Sequence, residues 1–159
     1  MSFDKKFLAL VGKLKAPAGS KGDYVMYKRV GNMLYLSGYG PIRNGKIPPE
    51  YQGQVDAGGG TKYVTPKQAA EAARLTALNL LWITREAIKT LNNVQEIVSV
   101  EGFVASTDSF TGQPAVMDGC SKVLVEVFGS KGKHTRSAIG TSTLAFGICV
   151  EIQMTLVVK

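Results

Sequence analysis

The stretch that decides the fold is residues 65–91, TPKQAAEAARLTALNLLWITREAIKTL. Thr65-Pro66-Lys67-Gln68 has the form of a capping box, with Thr65 at the N-cap, Pro66 at the first helical position and Gln68 reaching back. Beyond it Lys67, Glu71, Arg74, Arg85 and Lys89 fall on one stripe. Ala73, Ala77, Leu80, Leu81, Ile88 and Leu91 fall on another. That spacing predicts one long amphipathic helix, closed by Asn92-Asn93, whose small alanines let its first half approach a sheet closely.

On the C-terminal side, residues 97–106, IVSVEGFVAS, read as a strand. A second helix is expected over 114–128, with Val116, Cys120, Val123, Leu124 and Val127 inward and Gly129 just past its end, although Gly119 lowers its propensity. After a polar turn at 130–134, residues 136–144 and 148–158 read as two closing strands. In the last, Ile148, Val150, Ile152, Met154, Leu156 and Val158 alternate with Cys149, Glu151, Gln153 and Thr155, which predicts one buried and one polar face.

On the N-terminal side, residues 24–30 and 33–37 flank Gly31-Asn32, a pair that tolerates positive φ, so a tight hairpin is expected. Residues 39–64 hold Gly40, Pro41, Asn44, Gly45, Pro48, Pro49 and Gly58-Gly59-Gly60, and read as a long loop with room for a short strand. The triple glycine lacks the lysine of a P-loop and the spacing of a dinucleotide fingerprint. Residues 4–14 are spaced as a short amphipathic helix, broken by 16–20. The whole is one domain, 1–159, with an N-terminal helix and linker at 1–21 and an inserted loop at 39–64. Hairpin, helix, strand, helix and two strands have too few β-α alternations for a doubly wound sheet. The expected class is α+β: a mixed or antiparallel sheet with two helices on one face, the other face meeting another subunit.

Apolar residues at 45% and charged residues at 19% fit a globular chain rather than a disordered one. No apolar run is long enough to span a membrane, and MSFDKKFLALVGKLK is too charged for a secretory leader, so the expected location is the cytoplasm. Cys120 and Cys149 lack metal or redox spacing and read as buried thiols. His134 is the single histidine, which argues against a zinc enzyme, and no G-x-S-x-G elbow accompanies it. A net charge of +7 permits anionic partners, but the lysines are dispersed, so a nucleic-acid surface is not favoured.

Arg136 is the best candidate for chemistry: a guanidinium at a strand end offers a rigid fork for a carboxylate. Glu151 could neighbour it and hold it or a water. Ser37-Gly38, ending a strand, could expose backbone N–H groups to a ligand. Tyr24 and Tyr39 read first as packing aromatics, and second as stacking residues.

Several stretches, in this order, carry a resemblance. They are Gly22-Asp23-Tyr24, Gly31-Asn32-Met33-Leu34-Tyr35-Leu36-Ser37-Gly38, Ala77-Leu78-Asn79-Leu80, Val104-Ala105-Ser106-Thr107-Asp108-Ser109-Phe110, Arg136-Ser137-Ala138 and Val150-Glu151-Ile152. Together they resemble the RidA/YjgF family, long labelled endoribonuclease L-PSP, over about residues 22–158. The resemblance implies a chorismate-mutase-like fold, a homotrimer with a barrel core, and pockets at its subunit interfaces. It implies hydrolysis of enamine/imine carboxylates to 2-keto acids and ammonia, without metal or organic cofactor. Arg136 would bind the substrate carboxylate and Tyr24 would come from a neighbouring subunit. Ser37 and Gly38 would contact the ligand, Glu151 would hold a water, and the backbone at Ala138 would help activate it. This chain departs from the family's pattern at Thr135, where a proline is usual, at Asp118, where an asparagine is expected, and at Ala72, where a glutamine is common. Asp118 would repel an anionic substrate unless neutralised. These departures point to a divergent branch. The rival readings are a keto-acid-binding module without catalysis and, behind it, an RNA-directed nuclease.

Overall fold

The computed structural model describes residues 1–159. They form α1 (Phe3–Val11), β1 (Tyr27–Val30), β2 (Met33–Tyr39), α2 (Pro66–Ile88), β3 (Val94–Ala105), α3 (Gln113–Phe128), β4 (Thr135–Thr141) and β5 (Val150–Val158). One five-stranded sheet has the order β1-β2-β5-β3-β4. All pairings are antiparallel except β3 with β4, which is parallel because α3 carries the chain back across the sheet between them. The mixed α+β class expected from the sequence is the one observed.

Local chemistry accounts for the elements. Thr65 accepts from the Gln68 N–H and Gln68 returns the bond to Thr65, so α2 starts with the capping box. Gly31, at φ 58°, is the positive-φ residue of the two-residue β1–β2 loop, with Val30 facing Met33. A positive φ at the first loop position alone is the II′ pattern that matches strand twist.

Strand alternation then sorts the sheet's faces. Val150, Ile152, Met154, Leu156 and Val158 of β5 are buried, as are Val100 and Val104 of β3 and Leu34 and Leu36 of β2. They join Leu80, Leu81, Val116, Met117 and Leu124 of the helices in one core. Each such side chain contributes roughly 1.5–3 kcal/mol by leaving water. The opposite face carries Tyr35, Ile139, Phe103, Glu151, Gln153 and Thr155; no element of this chain covers it, and Tyr35 and Ile139 are exposed.

Two expectations need correcting. Beyond Tyr39, the end of β2, residues 40–64 hold no strand, only isolated bridges and a 3-10 turn at Pro49–Tyr51, and parts of the segment pack into the core. Tyr51, Val55 and Val64 enter the core, and the buried Asn79 amide of α2 donates to the carbonyls of Gly40 and Ile42. Cys149, placed on the polar face by simple alternation, is fully buried, because it precedes β5 and its N–H donates to the Tyr51 carbonyl of that same segment. The N-terminal helix is fastened through Asp4, which accepts from Arg85, Thr90, Asn92 and the Leu91 N–H, while Phe7 packs edge-on against Trp82. No helix is long and apolar enough to cross a membrane.

Gly119, a weakness by propensity, is where α3 meets α2. A Cβ there would overlap the Ala70 carbonyl, a backbone atom that cannot swing aside. Gly119→Ala therefore costs more than about 2 kcal/mol, although alanine is the better helix former by about 1 kcal/mol. Urea unfolding measures this; a neutral or stabilised variant would show that the helices do not approach so closely.

Candidate functional site

Arg136 lies on β4, the sheet's edge, opposite the buried Val100, and so its side chain turns to the helix-covered face. There its Nη1 donates to Asp118 Oδ1 at 2.8 Å and to Ser121 Oγ at 3.1 Å, one turn apart on α3. Ser121 Oγ is also 3.0 Å from His134 Nε2, and His134 Nδ1 is 2.6 Å from the Gly132 carbonyl. A carbonyl can only accept, so Nδ1 carries the proton and Nε2 of the neutral ring accepts from Ser121. Burial is the main cause holding His134 below its ordinary 6.5. The Arg136 charge lowers it further, and the Gly132 hydrogen bond opposes both.

The two Nη1 hydrogens are therefore occupied, while Nε and Nη2 donate to no protein atom. That remaining edge is the fork that grips two coplanar oxygens. The Arg136 side chain is 23% exposed and that of Asp118 51%. Ala138 is on the same face, two residues along β4 and in register with Gly102.

The other candidates gather elsewhere. Glu151 lies on the open face of β5, and its Oε1 sits where a side chain of Gly38 would be, 2.5 Å from the position a Cβ would take. Any side chain at 38 would make the Glu151 carboxylate move from this position. Glu151 has no hydrogen-bond or ion-pair partner in the chain, and burial raises its pKa. Ser37 donates its hydroxyl to the Val25 carbonyl at 2.6 Å, tying β2 to the segment that carries Tyr24. Tyr24 is 53% exposed and lies near Tyr39, whose hydroxyl is pushed up by burial and then by Tyr24.

The expectation that Glu151 neighbours Arg136 is overturned. β3 separates their strands, Glu151 is in register with Phe103 and Arg136 with Val100, and the two side chains leave opposite faces of the sheet. Ser37 is farther still, three strand spacings from β4, about 14 Å. Asp118 spends Oδ1 on Arg136, while its Oδ2 has no partner in the chain. Ser121 and His134 escaped the sequence reading. The available signal was Asp118 and Ser121 one helical turn apart, with a lone histidine two residues before the arginine. Two clefts, of about 400 and 340 Å³, lie around α1–α2 and around Tyr24, and Arg136 lines neither. No three His, Cys, Asp or Glu side chains converge in a group able to hold a metal ion. Burial pushes Cys120 and Cys149 up to about 12, so neither is a thiolate at neutral pH.

The unpartnered Glu151 gives a pH-dependent prediction. A carboxyl whose folded pKa is raised binds more protons folded than unfolded between its ordinary 4.5 and the raised value. Stability then falls as pH rises through that window. Glu151→Gln should raise Tm at about pH 7 and leave it unchanged at about pH 3. An equal shift at both values, or a loss at pH 7, would contradict the burial argument.

Comparison with known proteins supplies the kinship. The family described as "YjgF/chorismate_mutase-like, putative endoribonuclease" matches residues 5–152. Protein TCP17 of Trypanosoma cruzi is 36% identical over 141 residues, covering 88% of this chain and 84% of TCP17. The crystal structure of protein Atu1372 from Agrobacterium tumefaciens superimposes with a TM-score of 0.85 at 30% identity, over 99% of this chain and 92% of that one. A Shewanella oneidensis MR-1 structure bearing the same endoribonuclease description gives 0.89 at 27% identity, over 99% and 100%. Both superpositions take in nearly the whole chain, so α1 and the 39–64 segment, read from the sequence as additions, are shared with these relatives. With the family match over residues 5–152, the 36% identical relative and the near-complete superpositions in agreement, this chain belongs to the YjgF/chorismate-mutase-like family.

Proposed function

We propose that the protein is a cytoplasmic deaminase that hydrolyses small imine carboxylates, and the enamines that tautomerise to them, to 2-keto acids and ammonia. It would do so in pockets formed between the protomers of a homotrimer. The observation that carries this reading is the free Nε/Nη2 edge of Arg136, held at a sheet edge by bonds to Nη1 alone. Such an edge binds a carboxylate through two parallel charge-assisted bonds.

Glu151 supplies the second part. A partly desolvated carboxylate without a partner is suited to taking and returning a proton. Water oxygen adds to the imine carbon while its proton passes to Glu151, and the C=N electron pair moves onto nitrogen, which takes up a proton. The carbinolamine then loses ammonia: the hydroxyl proton passes, by way of Glu151, to the amino nitrogen, the C–N bond breaks and the C=O bond forms. Imine plus water equals ketone plus ammonia, so no cofactor is required. The backbone at Ala138 would help orient the water, and Ser37, Gly38 and Tyr24 would complete the wall.

Because Arg136 and Glu151 leave opposite faces of one sheet, a single chain cannot bring them to one substrate. Packing of the uncovered face, with Tyr35 and Ile139, against other copies would let β4 of one protomer meet the Ser37–Glu151 region of the next. A second reading, keto-acid binding without turnover, is favoured by one observation: Asp118 already neutralises much of the Arg136 charge.

Arg136→Ala should lower kcat/KM for an amino-acid-derived imine by on the order of 10²-fold or more, with the oligomer unchanged in light scattering. Arg136→Lys should recover little, since it keeps the charge and loses the fork. Undiminished turnover in the alanine variant would reject the assignment. Binding of 2-ketobutyrate with no imine turnover in the wild type would favour the second reading.

A further inference from the structure

Two bonds converge on Arg136 Nη1, and they are unequal. Asp118 is half exposed, and an ion pair in contact with water holds a geometry weakly, because solvent and salt compete for both charges. Ser121 lies deeper. From its hydroxyl the chain of bonds runs inward, to His134 Nε2 at 3.0 Å and from His134 Nδ1 to the Gly132 carbonyl at 2.6 Å.

That second branch ends on fixed backbone. Gly132 is buried, and a Cβ there would lie 2.2 Å from the Leu124 carbonyl oxygen of α3, so the turn is pressed onto the helix. Thr135, on the other side of His134, donates its hydroxyl to the Val98 carbonyl of β3 at 3.0 Å. His134 is thus held between two anchored neighbours, and its Nε2 lone pair has a set direction.

A serine hydroxyl is a poor locator by itself, since it rotates about its C–O bond and its lone pairs rotate with it. Committing its proton to His134 Nε2 stops that rotation and turns the lone pairs toward Nη1. The same commitment argues against a nucleophilic serine. Nη1 draws density from the oxygen that would attack, and Ser121 lies within the body of α3 rather than on an exposed turn. We propose that His134 is a positioning residue for Arg136, fixing through Ser121 the direction in which the Nε/Nη2 edge meets a carboxylate. This rests on the deaminase reading, in which the carboxylate is gripped alike before and during water attack. Loss of the relay should therefore raise KM and leave kcat nearly unchanged.

The test uses two replacements that separate the acceptor from the ring. His134→Gln keeps an acceptor near the reach of Nε2 and lacks the ring; His134→Phe keeps a ring and lacks the acceptor. His134→Phe should raise KM for the imine, and weaken 2-ketobutyrate binding in calorimetry, roughly five- to tenfold, the scale of one hydrogen bond. His134→Gln should stay within about twofold of the wild type on both measures. Ser121→Ala should match His134→Phe, and the double variant should be no worse than either, since both cut one chain. A ring that merely packs would give the reverse order, with phenylalanine close to wild type and glutamine impaired. That order, or an unchanged KM in every variant, overturns the proposal. If either appears while Arg136→Ala still cuts turnover, the deaminase reading stands without it. If Arg136→Ala leaves turnover and ketobutyrate binding intact, both fall.

Discussion

The two-residue period of the strands constrains everything else here. Once Val150, Ile152, Met154, Leu156 and Val158 are committed to the helices, Glu151 must emerge on the uncovered face. Once β4 pairs in register with β3, placing Arg136 opposite Val100, Arg136 must emerge on the covered one. Shifting β5 by a residue would exchange its faces, but only by driving a row of apolar side chains into water. The face on which Glu151 emerges is thus enforced by the core, and that of Arg136 by the pairing of β4 with β3. A site using both has to be completed by another copy of the chain.

The same constraint explains how Arg136 is held. At the rim of the covered face its guanidinium reaches α3, whose one-turn spacing offers Asp118 and Ser121 to a single nitrogen. The Ser121–His134–Gly132 chain continues that hold into the backbone, and the neutral histidine it requires is favoured by burial. On the uncovered face the arrangement is the reverse. Gly38 leaves a gap, Glu151 fills it, and nothing in the chain satisfies the carboxylate. One half presents a preorganised donor edge, the other a carboxylate whose pKa burial raises.

Much of the fold was legible because its signals are local. The capping box at Thr65–Gln68, the Gly31-Asn32 turn and the alternation of β5 each need only a few neighbouring residues. The sheet order and the parallel β3–β4 pairing depend on long-range packing, so the expected adjacency of Glu151 and Arg136 failed although both residues were singled out. The packing of 39–64 was hidden for a similar reason: its glycines and prolines read as a loop, while its anchors are single residues such as Tyr51 and Val55, with Asn79 contributed from α2. Gly119 looked like a defect because propensity is read on one helix, whereas its purpose lies in the other helix it touches. Ser121 and His134 were marked only by their spacing from Asp118 and Arg136, being common residues made significant by the arginine.

The central claim, that Arg136 of one protomer serves with Glu151 of another, is tested most directly by subunit mixing. Arg136→Ala and Glu151→Gln chains, each inactive alone, are unfolded together and refolded as mixed oligomers. Randomly mixed assemblies should regain about a quarter of wild-type imine hydrolysis, because some interfaces pair an intact arginine with an intact glutamate. Mixed oligomers that form but remain as inactive as their parents would contradict the account.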